Sequence, residues 1–295
     1  MGGRIAVALT ALSYAKATER QLVVDWNDFT YYSPEVPDVF SALWDWPEAA
    51  RVDLDCLAGL QVYPADWSDK LSDYRNDIDA EIMPYALSFF GPPDEAGPDV
   101  AKTAAAAEVV VITRNGRHER IADLYRNLRP SRFIRSRIAL LAERYDWNRM
   151  IGVQIRHGNG EPYLTPANTT WFHERIGELR TVDPNLRVFL ATDSIQVLNE
   201  FRLRYPGVVH TPKWYPPAGS GSMHHHPDCP SRFEHGVSAI IDTWLLKECS
   251  HLLMCGGFFG RTVEMLSPAD QGHRQIYPGK IHATVEEKKE WSNPI

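Results

Sequence analysis

An α/β protein built on parallel sheets is expected from three observations. Short apolar, β-branched runs alternate with helical patterns, the order that covers a parallel sheet with helices. Several of those runs end in polar residues and glycines, as strands do where they open onto a ligand crevice. The chain has 295 residues, long for a single core, so two domains are expected. Two Rossmann-like halves facing across a cleft satisfy all three. The boundary is placed just before Met150, giving domains of residues 1–149 and 150–295.

The elements follow in order. "MGGRIAVALTALSYAKA" imitates a signal peptide, but Ile5, Leu9, Leu12 and Ala15 recur at helical spacing and lead straight into "RQLVVDW". A helix feeding a strand at Gln21 to Trp26 favours structure over targeting. An irregular segment rich in Trp, Tyr, Pro and Asp runs from Asn27 to Pro98, followed by a second strand, "EVVVIT". Between Arg117 and Tyr145 two helical patterns are broken near Pro130. Then come the strand "MIGVQI", a helix from about Thr169 to Leu179, the strand "RVFLAT" and a helix from Ser194 to Arg204. "GVVHT" and a flexible loop, Pro216 to Pro230, precede a helix around "SAIIDTWLLKEC" and the strand "HLLMC".

Composition narrows the function. With 31 Lys and Arg against 38 Asp and Glu the net charge is −7, which argues against non-specific nucleic-acid binding but leaves room for a local arginine site. Cys56, Cys229, Cys249 and Cys255 lack a CxxC and read as reduced thiols of a cytoplasmic protein. No apolar run approaches the roughly 18–20 residues that span a bilayer.

The chemistry gathers at strand ends. In "IGVQIRHGNGE" (Ile151 to Glu161) a buried-looking strand stops at Arg156 and His157. The planar, permanently charged guanidinium of Arg156 matches paired phosphate oxygens. Gly158 and Gly160 let the backbone approach a ligand and adopt φ > 0. A surface turn with its arginine on a carboxylate is the simpler alternative. "FLATDS" ends in Asp193 and Ser194 on the same rim, as ligand contacts or as a helix cap. Asp242, within an apolar helical face, needs donors to offset its desolvation. The N1–H and amino group of a guanine would serve, as would backbone amides.

These stretches, with "ALSYAKATERQLVVDW", "LRPSRFIRSRI" and "SAIIDTWLL" in the same order, resemble the rhizobial NodZ and α-1,6-fucosyltransferase family. The resemblance implies a GT-B fold, GDP-fucose or another GDP-sugar as donor substrate, inversion at the anomeric carbon, and no metal or other cofactor. By position it implies Arg156 on the β-phosphate and Asp242 on guanine, with His157 and Asn159 shaping the donor pocket. Glu161 falls near an acidic residue proposed as base in the mammalian branch. Asp25, from the other domain, is its rival. The residues depart from the family's pattern at three places. Gln154 replaces the histidine that contacts the base. "CGGFFGRT" lacks the phosphate-binding Ser or Thr, so Gly256 and Gly257 would offer amides, with Arg261 or Thr262 assisting. The chain opens at Gly2 and Gly3, inside the family's glycine-rich loop.

Two further stretches are ambiguous. His224, His225, His226, Asp228, Cys229 and His235 are zinc- or copper-ligand types, but adjacent histidines cannot all face one ion, so no metal site is assigned. Trp44, Trp46, Tyr63, Trp67, Tyr74 and Tyr85, with Asp66 and Asp69, suit either a carbohydrate acceptor surface or an irregular core. The expected partners are thus a nucleotide-sugar donor and a glycan acceptor. A binding protein of the same fold without catalysis is the alternative, and turnover separates the two.

Overall fold

The computed structural model describes residues 1–26, 30–50, 54–68, 71, 91–161, 164–223, 226–268 and 273–281. Tyr74, Tyr85, Asp69, His224 and His225, singled out from the sequence, lie outside them. The chain divides into two compact units, Met1–Ser131 and Arg132–Ile295.

In the first unit, α1 (Gly2–Ala17) buries Ile5, Leu9, Leu12 and Ala15 as their spacing predicts. It also buries Ala6, Ala8, Thr10 and Tyr14, so it is a core helix rather than a surface one. The strands are shorter than "RQLVVDW" and "EVVVIT" suggest. β1 (Leu22–Val23) pairs in parallel with β2 (Ala49–Ala50), beyond α2 (Val39–Leu43). β3 (Val62–Tyr63) pairs in parallel with β4 (Val109–Val110), after α3 (Pro93–Ala96) and α4 (Pro98–Ala106). β3 stops where Pro64 removes the next ladder donor. α5 (His118–Ile121) follows. Trp26, Tyr31, Phe40 and Trp44 are all buried, with Trp26 edge-on to Phe40 at 5.1 Å. The Arg4 guanidinium lies 5.4 Å from the Tyr31 ring centroid. These aromatic residues build core.

The second unit opens earlier than the expected boundary, because α6 (Arg132–Ala142) packs on a later helix of the same unit. Its four strands are β5 (Met150–Ile155), β6 (Arg187–Thr192), β7 (His251–Met254) and β8 (His273–Ile276). They are all parallel, in the order β6-β5-β7-β8. Every residue of β5 is buried, as expected of a central strand covered on both faces. A Cβ on Gly152 would come within 2.9 Å of Leu252 Cδ2, so the residue's lack of a side chain lets β5 and β7 close up. α7 (Thr169–Val182) and α8 (Ile195–Arg204) contribute Phe172, Ile176, Leu198 and Phe201 to a core shared with Ile151, Val153 and Leu253. α9 (Arg232–Leu246) packs on β5 and β6, and α10 (Phe258–Leu266) follows β7. Arg137 on α6 donates to Glu234 on α9 at 2.6 Å. "GVVHT" forms a single bridge, Val209 alongside Phe189, rather than a strand.

In this order the chain runs from β5 to β6 on one side and returns to β7 on the other. That reversal opens a crevice at the carboxyl ends of β5 and β7.

Candidate active site

β5 delivers Arg156 to that crevice. Its main-chain N–H is taken up by Cys255 Sγ at 3.3 Å, across from the end of β7. Burial pushes the Cys255 thiol up to about 12, so the sulfur stays protonated. The Arg156 guanidinium is gripped from both sides, Nη1 donating to Asp193 and Nη2 to Glu161. Asp193 also accepts from the amides of His157 at 2.8 Å and Gly158 at 2.9 Å. It therefore does not cap α8. It ties the end of β6 to the loop after β5. Ser194, fully buried, is the cap, accepting from the Val197 amide.

Glu161 is 28% exposed along its side chain. Burial raises its carboxyl above the ordinary range against the opposing pull of Arg156. One guanidinium thus holds two carboxylates, and an anion reaches Arg156 only by displacing one of them.

Other expected residues turn out to be structural. Gln154 is 6% exposed and its Oε1 accepts from the Cys255 amide at 3.1 Å, bridging β5 to the end of β7. Asn159 is 1% exposed with φ of 50°. Its Nδ2 donates to the carbonyls of Pro217 and Gly221 at 2.8 and 3.0 Å, and its Oδ1 accepts from Gly219 at 3.0 Å. Asn159 thus moulds the polar loop rather than facing the crevice. His226 fixes that loop too, bonding Ser220 Oγ at 3.0 Å and packing against Trp214. His157 is part-exposed, with a buried Nδ1 that has no partner. Among the described residues no three His, Cys, Asp or Glu side chains gather as a metal-holding group.

Gly256 and Gly257 lead into α10, with Gly257 as its N-cap at φ of 108°. The amides of the first turn form an anion-favouring helix start. Thr262 gives its hydroxyl to the Phe258 carbonyl at 2.8 Å, while Arg261 is exposed. Asp25 belongs to the first unit, half-buried just beyond β1.

Asp242 is buried on α9, as its apolar surroundings imply, but its partner is one the sequence did not disclose. Lys213 Nζ donates to its Oδ2 at 2.5 Å. Burial alone would lower the lysine's affinity for its proton. The Asp242 carboxylate beside it reverses that and holds it above the usual lysine value. Lys213 sits in an irregular segment after Val209, where no periodicity marks it.

Known proteins of similar sequence and shape can now be set beside this geometry. The family model described as Nodulation protein Z (NodZ) matches residues 99–268. The Nodulation protein Z of Azorhizobium caulinodans is 28% identical over 276 residues, covering 82% of this chain and 78% of that protein. That of Bradyrhizobium diazoefficiens is 27% identical over 266 residues, covering 82% and 70%. A crystal structure of NodZ alpha-1,6-fucosyltransferase co-crystallized with GDP superposes with a TM-score of 0.61 at 24% identity, over 90% of this chain and 89% of that one. POFUT1 in complex with GDP-fucose gives a TM-score of 0.51 at 12% identity, over 93% and 94%. The fold is GT-B. Matched by that family model over more than half its length, the chain belongs to the Nodulation protein Z (NodZ) family.

Proposed function

We propose that this chain is an inverting glycosyltransferase that moves fucose from GDP-fucose to a hydroxyl of a glycan or glycoconjugate. One observation carries it: in a NodZ-family chain, Arg156 stands at the carboxyl edge of β5 with its guanidinium held by two carboxylates, at the crevice where a diphosphate would bind. The diphosphate takes the place of Glu161 on Arg156, and the amides after Gly256 and Gly257 receive its remaining oxygens. As the C–O bond to fucose breaks, charge grows on the leaving diphosphate, and Arg156 meets it already oriented. That protein-borne charge supports a metal-independent transfer. The four free cysteines support a cytoplasmic enzyme.

Glu161 fits the base role poorly. An inverting transfer needs its base on the face opposite the leaving group, whereas Glu161 shares the guanidinium assigned to that group. We assign Glu161 to holding Arg156 before the donor arrives, and Asp25 becomes the candidate base.

Calorimetry with GDP, UDP and ADP tests the donor class, and turnover of GDP-fucose with candidate acceptors tests catalysis. GDP should bind at least tenfold more tightly than ADP or UDP. Binding without turnover across several acceptors would overturn the transferase assignment in favour of a binding protein.

A further inference from the structure

α6 turns one face to the protein and leaves the other bare. Ile134 is fully buried, the helix packs on α9, and Arg137 donates to Glu234 there at 2.6 Å. Arg132, Phe133, Arg135, Ser136, Ala139 and Leu140 are all exposed. The outward face of a helix is ordinarily polar, yet Phe133 is 52% and Leu140 61% exposed. Single apolar side chains at a surface need no explanation. Among the described residues, however, α6 alone carries two exposed large ones.

Seven residues apart, the two stand two turns from each other, about 10 Å along one stripe of the helix. The Arg137 guanidinium lies 5.5 Å from the centroid of the Phe133 ring, which braces the ring without covering it. The turn after α6, closed by the Glu143 amide on the Ala139 carbonyl at 3.0 Å, sets the exposed Arg144 in line with the stripe. Arg132 lies towards the middle of the same exposed face. Between Leu128 and Arg149 there are six arginines and two acidic residues, although the whole chain has a net charge of −7.

Charge alone would suit any polyanion. The apolar pair selects among them, because it needs hydrocarbon beneath the phosphates, which a nucleic acid does not offer. An isologous contact with a second copy would set arginines against arginines. An anionic lipid surface has both features in the right order, with phosphates outside and acyl chains within reach.

We propose that the outward face of α6 docks on an anionic lipid surface. Phe133 and Leu140 enter the boundary between headgroups and acyl chains, while Arg132, Arg135 and Arg144 bond lipid phosphates. The contact is peripheral and reversible, since the apolar pair buries little area and each arginine adds only about fivefold in affinity. It does not involve the donor, so it stands apart from the transferase assignment.

The test is flotation of the full chain with vesicles of phosphatidylcholine, alone or with about one-third phosphatidylglycerol. Affinity for the anionic vesicles should be at least about tenfold higher, and raising salt from about 0.1 M to about 0.5 M should release the chain. Arg132→Gln combined with Arg144→Gln should lose roughly 25-fold, fivefold for each arginine. Phe133→Ser combined with Leu140→Ser should lose roughly tenfold. Both double variants should keep the wild-type circular dichroism and GDP affinity. Equal binding to both vesicle types would overturn the proposal without recourse to any variant. Wild-type binding by both double variants would move the contact to another face. Loss with the arginines alone would reduce it to adsorption and refute insertion. A dimer in sedimentation velocity that Phe133→Ser with Leu140→Ser dissolves would give the face to a second copy instead.

Discussion

Arg156 is held by competing carboxylates, and the consequences differ for each side chain. Arg156→Lys keeps the charge but not the planar fork. It should cost at least tenfold in GDP affinity by calorimetry, and unchanged affinity would remove Arg156 from the phosphate site. Glu161→Gln removes a rival for the guanidinium. Donor KM should therefore fall, while kcat drops less than tenfold, below the usual worth of a general base; a hundredfold loss of kcat would restore Glu161 as the base. The same pair gives a pH signature. Burial raises the Glu161 carboxyl, so the folded chain keeps this proton at pH values where the unfolded chain has lost it. Its contribution to stability falls as pH rises through that window. Once protonated it no longer competes for Arg156, so wild-type GDP affinity should climb towards acid more steeply than that of Glu161→Gln. Parallel profiles would refute the competition, since the nucleotide's own titration is common to both. Arg156 and Asp242 were legible because strand ends and an isolated carboxylate in an apolar helix stand out against their surroundings. Lys213 was not. A lysine in an irregular stretch looks like any solvated charge until the fold brings a buried carboxylate to it.

The loop after β5 is held by shape as much as by charge. Asn159 makes three hydrogen bonds to residues 217–221, and a Cβ on Gly160, at φ of 89°, would come within 2.8 Å of the Gly219 carbonyl oxygen. Asn159→Ala should cost about 2–4 kcal/mol in chemical unfolding, at about 1 kcal/mol for each lost bond. Gly160→Ala should be destabilising as well, for want of both space and an accessible conformation. A neutral Asn159→Ala would mean that the loop does not depend on that side chain. Fully buried parallel strands were the most readable elements, because an unbroken apolar run has few other homes. β8, "HRQI", escaped notice, since an edge strand needs no such run. The strands of the first unit were overdrawn, because apolar runs cut short by proline and by aromatic-rich segments pair over only two residues each. "HGNG" was rightly marked as special backbone. That its asparagine faces a loop 60 residues away could not be read from spacing.

For the whole chain, the assignments separate by unit. Asp25→Asn should lower kcat by at least tenfold while leaving GDP affinity within about twofold, as expected of a base that does not touch the nucleotide. A weakened GDP affinity would mean that Asp25 serves the donor instead. EDTA should leave turnover unchanged. Loss of activity, restored by a divalent ion, would return the histidine loop to consideration. The order of the second unit's sheet also bears on how the protein is made. β5 pairs with β6 close by in the chain, but its other edge is filled only by β7, about a hundred residues later. Both the Gln154 side chain and the Arg156 amide find their partners at Cys255. On the ribosome, β5 must therefore wait with one hydrogen-bonding edge unpaired while the intervening residues are synthesised, a long interval in which foreign strands can add. The crevice cannot close until Cys255 has emerged, so a nascent chain is unable to capture donor before most of its length exists.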